Sequence, residues 1–303
     1  LNYPSVKSHI FKHMIKTPFK TIGLIVRQDS DSHKDEIHTI CQALSRHGDL
    51  LIHYLDNQIT SNEYTQVSLE QLGQQADLAV SMGGDGTILR AARHLVDFGI
   101  PLFGINLGRL GFLADVTMAE LEKHLSDIFN GNYSVEKRFL LQGDIHMKNS
   151  ETIQHIALND IILHSHQSIS MIEFEVFTNN QLINKQRADG LIVSTPTGST
   201  AYSLSGGGPI MHPSLDTIAL VPICPHTLSN RPIVLPANQQ IEIRLSQPDM
   251  VGQISLDGAT QAIIKYGDCV LIKRYPKEIT LLHPPNYDYF HILRAKLKWS
   301  NQP

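Results

Sequence analysis

The sequence predicts an α/β protein in two parts: a parallel sheet covered by helices, followed by an antiparallel β-sandwich. Up to about residue 135, apolar runs alternate with segments of helical periodicity, which is typical of a parallel sheet. Beyond that point the pattern changes, and 12 of the 15 prolines lie at or after Pro196, so long helices are not expected there. Period-two segments with frequent turn residues predict an antiparallel sandwich instead.

The first half contains a predicted N-terminal extension, residues 1–19, and an α/β domain, residues 20–135. Its elements are predicted as a strand over 21–26, a helix over 34–47 with its C-cap at Gly48, strands over 50–55 and 76–82, a helix over 88–96 and a strand over 101–105. Ligands bind at the carboxyl ends of the strands in such sheets, and Asp85 directly follows one of these ends.

The second half contains a predicted sandwich domain, residues 136–283, and a C-terminal segment, residues 284–303. Polar and apolar residues alternate over 172–176, 241–245 and 269–273, which predicts strands. Phe290, Leu293 and Leu297 lie at helical spacing, so we expect a final helix that returns to the first domain.

The bulk composition is that of an ordinary globular protein, and 303 residues suffice for about two domains. A net charge of −4 argues against a nucleic-acid partner. Cys41, Cys224 and Cys269 form no C-x-x-C pair, which favours a reducing cytoplasm over a disulfide framework or a zinc site. No stretch approaches the roughly 18 apolar residues that span a bilayer, and the N-terminal residues lack a signal-peptide core, so we expect a cytoplasmic protein without a membrane partner.

The sequence Gly83-Gly84-Asp85-Gly86-Thr87 lies between a predicted strand and a predicted helix. Glycines let backbone N–H groups approach an anion, and a helix N-terminus adds partial positive charge, so the loop predicts a phosphate cradle rather than a simple turn. Asp85 would repel a phosphate, which suggests that it accepts a proton or holds a metal. The spacing fits neither G-x-x-x-x-G-K-[ST] nor G-x-G-x-x-G, which disfavours Walker-type NTPases and ordinary Rossmann dehydrogenases.

A second segment, residues 195–209, is rich in small and hydroxyl residues around Tyr202. Such a composition suits a flat base that stacks on the ring, and a flexible Ser/Gly linker is the alternative interpretation. Asn159-Asp160 could bind a ribose diol or could simply cap or turn the chain, and Asp189-Gly190 is most simply interpreted as a turn. His164 and His166 are interpreted as surface residues, whereas prolines rigidify the loop that carries His226.

These segments together resemble the NAD kinase family, nearest to its bacterial branch, over residues from about 20 to Trp299. Gly83–Thr87 is similar to the GGDG signature that the family shares with lipid kinases and 6-phosphofructokinases. The more specific matches are Asn159-Asp160, Asp189-Gly190 with residues 195–202, residues 104–113 and residues 225–229.

The resemblance implies a Rossmann-like nucleotide domain and a β-sandwich domain, with the active site between them. It implies transfer of the γ-phosphoryl group of ATP to the adenosine ribose 2′-hydroxyl of NAD, with Mg²⁺ as the divalent metal and a homotetrameric assembly. Asp85 would be the general base. The implied NAD-binding residues are Asp85, Gly86, Asn159, Asp160, Ser170, Arg187, Asp189, Thr200, Ala201, Tyr202, Ser203, Leu204 and Ser205, and the implied ATP- or phosphate-binding residues are Gly83, Gly84, Gly86, Thr87, Arg90 and His226.

Two positions depart from the family pattern. Asp160 stands where many relatives carry Glu, and Ala259 follows Asp257-Gly258 where Gln is expected, with Gln261 two residues later. Two other functions remain as alternatives: a lipid or sugar kinase that shares only the glycine loop, and a non-catalytic dinucleotide sensor. The retention of an acid inside the loop weighs against a sensor, because an anion would bind better without it.

Overall fold

A computed structural model describes residues 19–27, 33–55, 64–108, 111–114, 116–148, 151–166, 171–227 and 229–299. The chain divides into two compact units, the first comprising residues 1–137 and 279–303 and the second residues 138–278. Apart from Phe19, the predicted N-terminal extension lies outside the described residues.

The first unit alternates strands and helices along the chain. Its elements up to residue 129 are β1 (Thr21–Val26), α1 (Lys34–Ser45), β2 (Asp49–Tyr54), β3 (Thr65–Gln66), α2 (Leu69–Gln75), β4 (Leu78–Met82), α3 (Asp85–Leu95), β5 (Leu102–Asn106), β6 (Val116–Thr117) and α4 (Leu121–Phe129). The strands β5, β4, β1, β2 and β3 are neighbours in that order, and each pair is parallel. All residues of β4 and β5 are buried, as expected for strands covered on both faces. The predicted parallel sheet is confirmed.

Gly48 is not the C-cap of α1, so this part of the prediction is wrong. The helix ends at Ser45 and its C-cap is Arg46, in a right-handed conformation. Glycine at position 48 instead allows close contact with the backbone of Lys20, because a Cβ atom there would lie 2.3 Å from the Lys20 carbonyl oxygen. That same oxygen accepts the backbone N–H of Asp49 at 2.8 Å, which starts β2 beside β1.

The second unit consists mainly of antiparallel strands. Its elements, with the strands that connect it to the first unit, are β7 (Ser134–His146), β8 (Ile153–Ala157), β9 (Asp160–Ser165), β10 (Ile172–Thr178), β11 (Gln181–Ala188), β12 (Gly190–Ser194), α5 (Tyr202–Ser205), β13 (Thr217–Ile223), β14 (Ile233–Pro236), β15 (Ile241–Leu245), β16 (Val251–Leu256), β17 (Ala259–Lys265) and β18 (Cys269–His283). One sheet has the order β14-β13-β12-β9-β16-β17, and the other contains β11-β10-β15-β18 with β7 and β8.

Inward-facing side chains of the two sheets form one apolar cluster. Leu163 and Val193 come from the six-stranded sheet, and Phe174 and Ile243 come from the other, and all four are fully buried or nearly so. Their contact follows from the period-two pattern, which places every second residue of a strand on the inner face. The predicted antiparallel sandwich is confirmed.

The last helix, α6 (Tyr289–Leu297), belongs to the first unit. It begins at Asp288, whose side chain accepts the N–H groups of Phe290 and His291. The predicted apolar face is partly wrong: Phe290 is 55% exposed, whereas Ile292 and Leu293 are buried. None of the helices in the described part of the chain is both long and apolar enough to cross a membrane.

Candidate active site

The glycine loop joins β4 to α3 and leaves the start of the helix open. Gly83 has a φ of +149°, and a Cβ there would lie 2.3 Å from Oγ1 of Thr87, so this position requires glycine. Gly84 is the N-cap residue and provides no side-chain cap. A Cβ added to Gly84 or Gly86 would meet nothing within 4 Å. Gly84 and Gly86 are also exposed, so the backbone at the start of α3 is accessible to an anion, as the phosphate-cradle prediction requires.

Thr87 and Arg90 lie on α3 but do not extend freely toward solvent. Thr87 is 1% exposed, and its Oγ1 has no hydrogen-bond partner among the described residues. The Arg90 guanidinium donates a hydrogen bond of 2.8 Å to the carbonyl oxygen of Leu55, directly after β2. Arg90 thus ties α3 to the end of a neighbouring strand, and Thr87 packs beneath the glycine loop.

Asp85 is the first residue of α3, and its carboxylate accepts three consecutive backbone N–H groups. The Phe112 N–H binds Oδ2 at 2.8 Å, and the N–H groups of Leu113 and Ala114 bind Oδ1 at 3.0 and 3.1 Å. Gly111 permits this approach, since a Cβ there would lie 2.1 Å from Oδ1. A carboxylate has about four acceptor positions, so one position on Oδ2 remains for a further hydrogen-bond donor.

In the second unit, the turn at Leu158–Asp160 is held from two sides. The Asp257 carboxylate accepts the N–H groups of Leu158, Asn159 and Asp160 at 3.0, 2.7 and 3.3 Å. On the other side, the Thr195 hydroxyl donates to the Leu158 carbonyl at 2.6 Å, and the Thr195 N–H donates to the Asn159 carbonyl at 2.9 Å. Neither Asp257 nor Thr195 is among the site residues predicted from the sequence.

Asp160 is the most strongly perturbed carboxyl group at this turn. It is only 3% exposed, and burial, together with the nearby charge of Asp257, raises the pKa of Asp160 from its ordinary value of 3.8 to about 7. A carboxyl group with this pKa exchanges its proton near neutral pH, so it can donate or accept a hydrogen bond there.

The raised pKa of Asp160 predicts a change in the pH dependence of stability. The folded protein binds this proton more tightly than the unfolded chain, so the free energy of unfolding falls as the pH rises from about 4 to about 7. The Asp160→Asn variant lacks this loss. Between pH 4 and pH 8, its free energy of unfolding should rise relative to that of the wild type by up to about 4 kcal/mol. The wild type loses about 1.4 kcal/mol for each of the about three pKa units by which the pKa of Asp160 is raised, and the variant does not. Denaturant unfolding at several pH values measures the difference, and parallel curves for both proteins would contradict it.

The segment after β12 is an ordered turn, which excludes the flexible-linker interpretation. Thr195 and Ser199 are fully buried, and residues Gly198–Thr200 form a 3₁₀ turn that leads into α5. Gly198 lies against the Asn159 backbone, and a Cβ there would be 2.2 Å from the Asn159 carbonyl oxygen. This contact joins the segment to the Asn159-Asp160 turn.

The predicted adenine-binding residues differ in how accessible they are. The Tyr202 ring is 47% exposed, and Ser205 is also exposed, whereas Thr200, Ala201 and Leu204 are half-buried. Ser203 is fully buried, and its Oγ has no hydrogen-bond partner among the described residues. Thus Tyr202 can stack on a ligand, while Ser203 faces the protein interior.

Arg187, Asp189 and His226 lie near one another in the second unit. The His226 N–H donates to the Arg187 carbonyl at 2.9 Å, and the Asp189 N–H donates to the Ile223 carbonyl at 2.9 Å. The side chains of Arg187 and His226 are exposed. Ser170, the remaining predicted NAD contact, lies outside the described residues.

The fold and the glycine loop define a class of protein that binds phosphorylated ligands at the carboxyl end of a parallel sheet. Family models give the class a more specific identity: the ATP-NAD kinase N-terminal domain matches residues 22–133, and the ATP-NAD kinase C-terminal domain matches residues 158–283. The chain belongs to the ATP-NAD kinase family.

Individual proteins that are similar to this chain over most of its length support this assignment to the family. An NAD kinase of Acinetobacter baylyi is 44% identical over 287 residues, which cover 93% of this chain and 92% of the relative. The crystal structure of yeast NADH kinase complexed with NADH is similar with a TM-score of 0.84 at 26% identity, covering 95% of this chain and 90% of the yeast chain. An NAD kinase from Archaeoglobus fulgidus in complex with ATP has a TM-score of 0.70 at 25% identity, covering 92% and 98% of the two chains.

Proposed function

We propose that the chain transfers the γ-phosphoryl group of ATP to the 2′-hydroxyl of the adenosine ribose of NAD, giving NADP and ADP. The observation that carries this proposal is Asp85, a carboxylate fixed by three backbone amides at an open helix N-terminus. Relatives named NAD kinase, and similar structures complexed with NADH and with ATP, support the choice of substrates.

Asp85 acts as the general base in this proposal. Its open position on Oδ2 accepts the proton of the ribose 2′-hydroxyl while the 2′-oxygen attacks the γ-phosphorus of ATP. A new O–P bond forms as the bond between the γ-phosphorus and the β,γ-bridging oxygen breaks, and ADP leaves. The amides of Phe112–Ala114 keep the carboxylate in one orientation, so little reorganisation is needed during the reaction.

The first turn of α3 is proposed to bind the phosphates of ATP through the backbone of Gly83, Gly84 and Gly86. Thr87 supports this loop from beneath, and Arg90 is proposed to contribute positive charge while its guanidinium holds Leu55. His226 completes the set of proposed phosphate contacts.

NAD is proposed to bind to residues of the second unit and to Asp85 with Gly86. Asn159 and Asp160 hold the ribose hydroxyls, and the exposed ring of Tyr202 stacks on the adenine. Arg187 and Asp189 serve the nicotinamide side, and Ser170 is a further proposed contact with NAD. Thr200, Ala201, Leu204 and Ser205 are proposed to surround the adenine, and the buried Ser203 is proposed to support this segment from beneath.

A divalent cation, Mg²⁺, is proposed to enter as part of the ATP substrate. Within the described ranges, no group of three or more His, Cys, Asp or Glu side chains is placed to hold a metal. Mg²⁺ is commonly held by substrate phosphates and waters with one or two carboxylates. Because amides and the ribose hydroxyl account for all acceptor positions of Asp85, we expect the phosphates to hold the cation.

We further propose that the protein works as a homotetramer in a reducing cytoplasm. The three cysteines are all free thiols, which supports the choice of compartment. The mass in dilute solution, measured by light scattering, tests the tetramer against a monomer of 33.9 kDa.

Incubation with NAD, ATP and Mg²⁺, followed by an NADP-specific dehydrogenase, tests the reaction. We expect NADP and ADP to form in equal amounts. Binding of NAD without product would favour a dinucleotide sensor, and an absence of NAD binding would favour a kinase for another acceptor.

A further inference from the structure

Asp257 contacts every backbone N–H group of the Leu158–Asp160 turn. Its two carboxylate oxygens accept these three groups at 2.7 to 3.3 Å, and its own N–H donates to the Asp160 carbonyl at 3.1 Å. The φ angle of Asp257 is +46°, a left-handed conformation that Asp and Asn tolerate better than most residues. The turn between β16 and β17 thus places a single carboxylate against the start of β9.

The arrangement keeps two acidic groups close together, which is costly. Asp160 is almost fully buried, and the charge of Asp257 opposes its ionisation. Charge-assisted hydrogen bonds to backbone N–H groups are strong, and those to Asp257 offset part of this cost. An asparagine at position 257 would avoid the repulsion, but it could not accept all three N–H groups, because its NH₂ group is a donor.

The anchored segment carries two of the proposed NAD ligands. The side chains of Asn159 and Asp160 project from the residues whose N–H groups Asp257 holds, and Thr195 fixes the same turn through two further hydrogen bonds. A binding group must be held within about half an ångström of its productive position to be effective.

We propose that Asp257 is a positioning residue for NAD, which fixes the Asn159-Asp160 turn through its three backbone hydrogen bonds so that both side chains meet the ribose in one orientation. This inference rests on the proposed function, since it assumes that Asn159 and Asp160 bind NAD. Asp257 itself acts through the turn and is not assigned a contact with the substrate.

Steady-state kinetics of the Asp257→Asn variant tests this role, in protein whose wild type has first been shown to convert NAD to NADP. Asn fits the left-handed conformation and has nearly the same shape, so the main change is the loss of an acceptor facing one N–H group. We expect the KM for NAD to rise about tenfold or more, while the KM for ATP stays within about twofold. A purely structural defect would lower the active fraction, and therefore the apparent kcat, without separating the two KM values.

Asp268→Asn is the matched control. The Asp268 carboxylate also uses both oxygens to accept backbone N–H groups in the second unit, from Lys148 and Lys265, both at 2.8 Å. It holds a turn to which no ligand contact is assigned. We expect both of its KM values to remain within about twofold of the wild type.

Thr195→Val provides an independent test if the Asp257 variant does not fold. It removes the hydroxyl that donates to the Leu158 carbonyl, and it should raise the KM for NAD selectively as well. Equal KM values for NAD in Asp257→Asn and wild type would overturn the proposal, as would an unchanged KM in Thr195→Val where that variant replaces it. A wild type that forms no NADP would instead refute the proposed function.

Discussion

Replacing Asp85 by Asn should lower kcat by at least about 100-fold while the KM for NAD changes only a few-fold. The amide cannot accept the proton of the ribose hydroxyl, which a carboxylate does at typical gains of about 10²–10⁴-fold. The side chain keeps its size and one oxygen, so binding contacts are largely retained. Initial rates of NADP formation over a range of NAD concentrations measure both constants.

The hydrogen bonds of Asp85 make a control necessary. In Asp85→Asn the remaining side-chain oxygen could accept the N–H groups of Leu113 and Ala114, but the new NH₂ group would then face the Phe112 N–H. Asp268→Asn controls for this clash, because each oxygen of the Asp268 carboxylate accepts one backbone N–H group, from Lys148 and from Lys265. We expect its kcat to stay within about twofold of the wild type. Near-normal turnover in Asp85→Asn would remove Asp85 from the role of general base.

Among glycine-to-alanine substitutions in the second unit, we expect Gly198→Ala to cause the largest loss of stability. The added Cβ would lie 2.2, 2.5 and 2.8 Å from the carbonyl oxygen, carbonyl carbon and Cα of Asn159, all backbone atoms that cannot rotate away. Overpacking of this kind costs about 1–3 kcal/mol or more. We expect the unfolding temperature to fall by about 5 °C or more, and NADP formation to fall with it because the Asn159-Asp160 turn is displaced.

Gly143→Ala in β7 is the matched control for this substitution. Its added Cβ would lie 3.0 Å from the Cδ1 atom of Ile161, the end of a flexible side chain, and 3.9 Å or more from other atoms. We expect an unfolding temperature within about 2 °C of the wild type. If Gly198→Ala matches this control in both unfolding temperature and NADP formation, the close contact with Asn159 constrains neither stability nor activity.

The fold was predictable wherever one physical signal dominated. β1 and β4 are continuous apolar runs because both faces of a parallel strand are covered, and β15 alternates because one face of a sandwich strand is exposed. The start of α3 was predicted three residues too late, since Asp85 and Gly86 are poor helix formers whose place in the first turn depends on the loop. For α6, spacing predicted the helix but not which face is buried, because Ile292 competes with Phe290.

The candidate site was predictable where its residues are close in sequence. The glycine loop identified Asp85 because strand, loop and helix follow one another directly. The partners of that carboxylate lie 27 to 29 residues away, and Asp257 lies 97 to 99 residues from the turn that it holds. No periodicity or propensity signals such contacts, since they depend on how strands distant in sequence pair. For the contact between Asp85 and the amides of Phe112–Ala114, the only indication in the sequence was Gly111, which allows the carboxylate to approach.

A structure of the protein with NAD bound tests the role of Asp85 most directly. We predict that Oδ2 of Asp85 lies about 2.6–3.2 Å from the ribose 2′-oxygen, with the Phe112–Ala114 amides still on its other acceptor positions. A carboxylate that keeps its three amides but lies beyond hydrogen-bond reach of every ribose oxygen would contradict this mechanism.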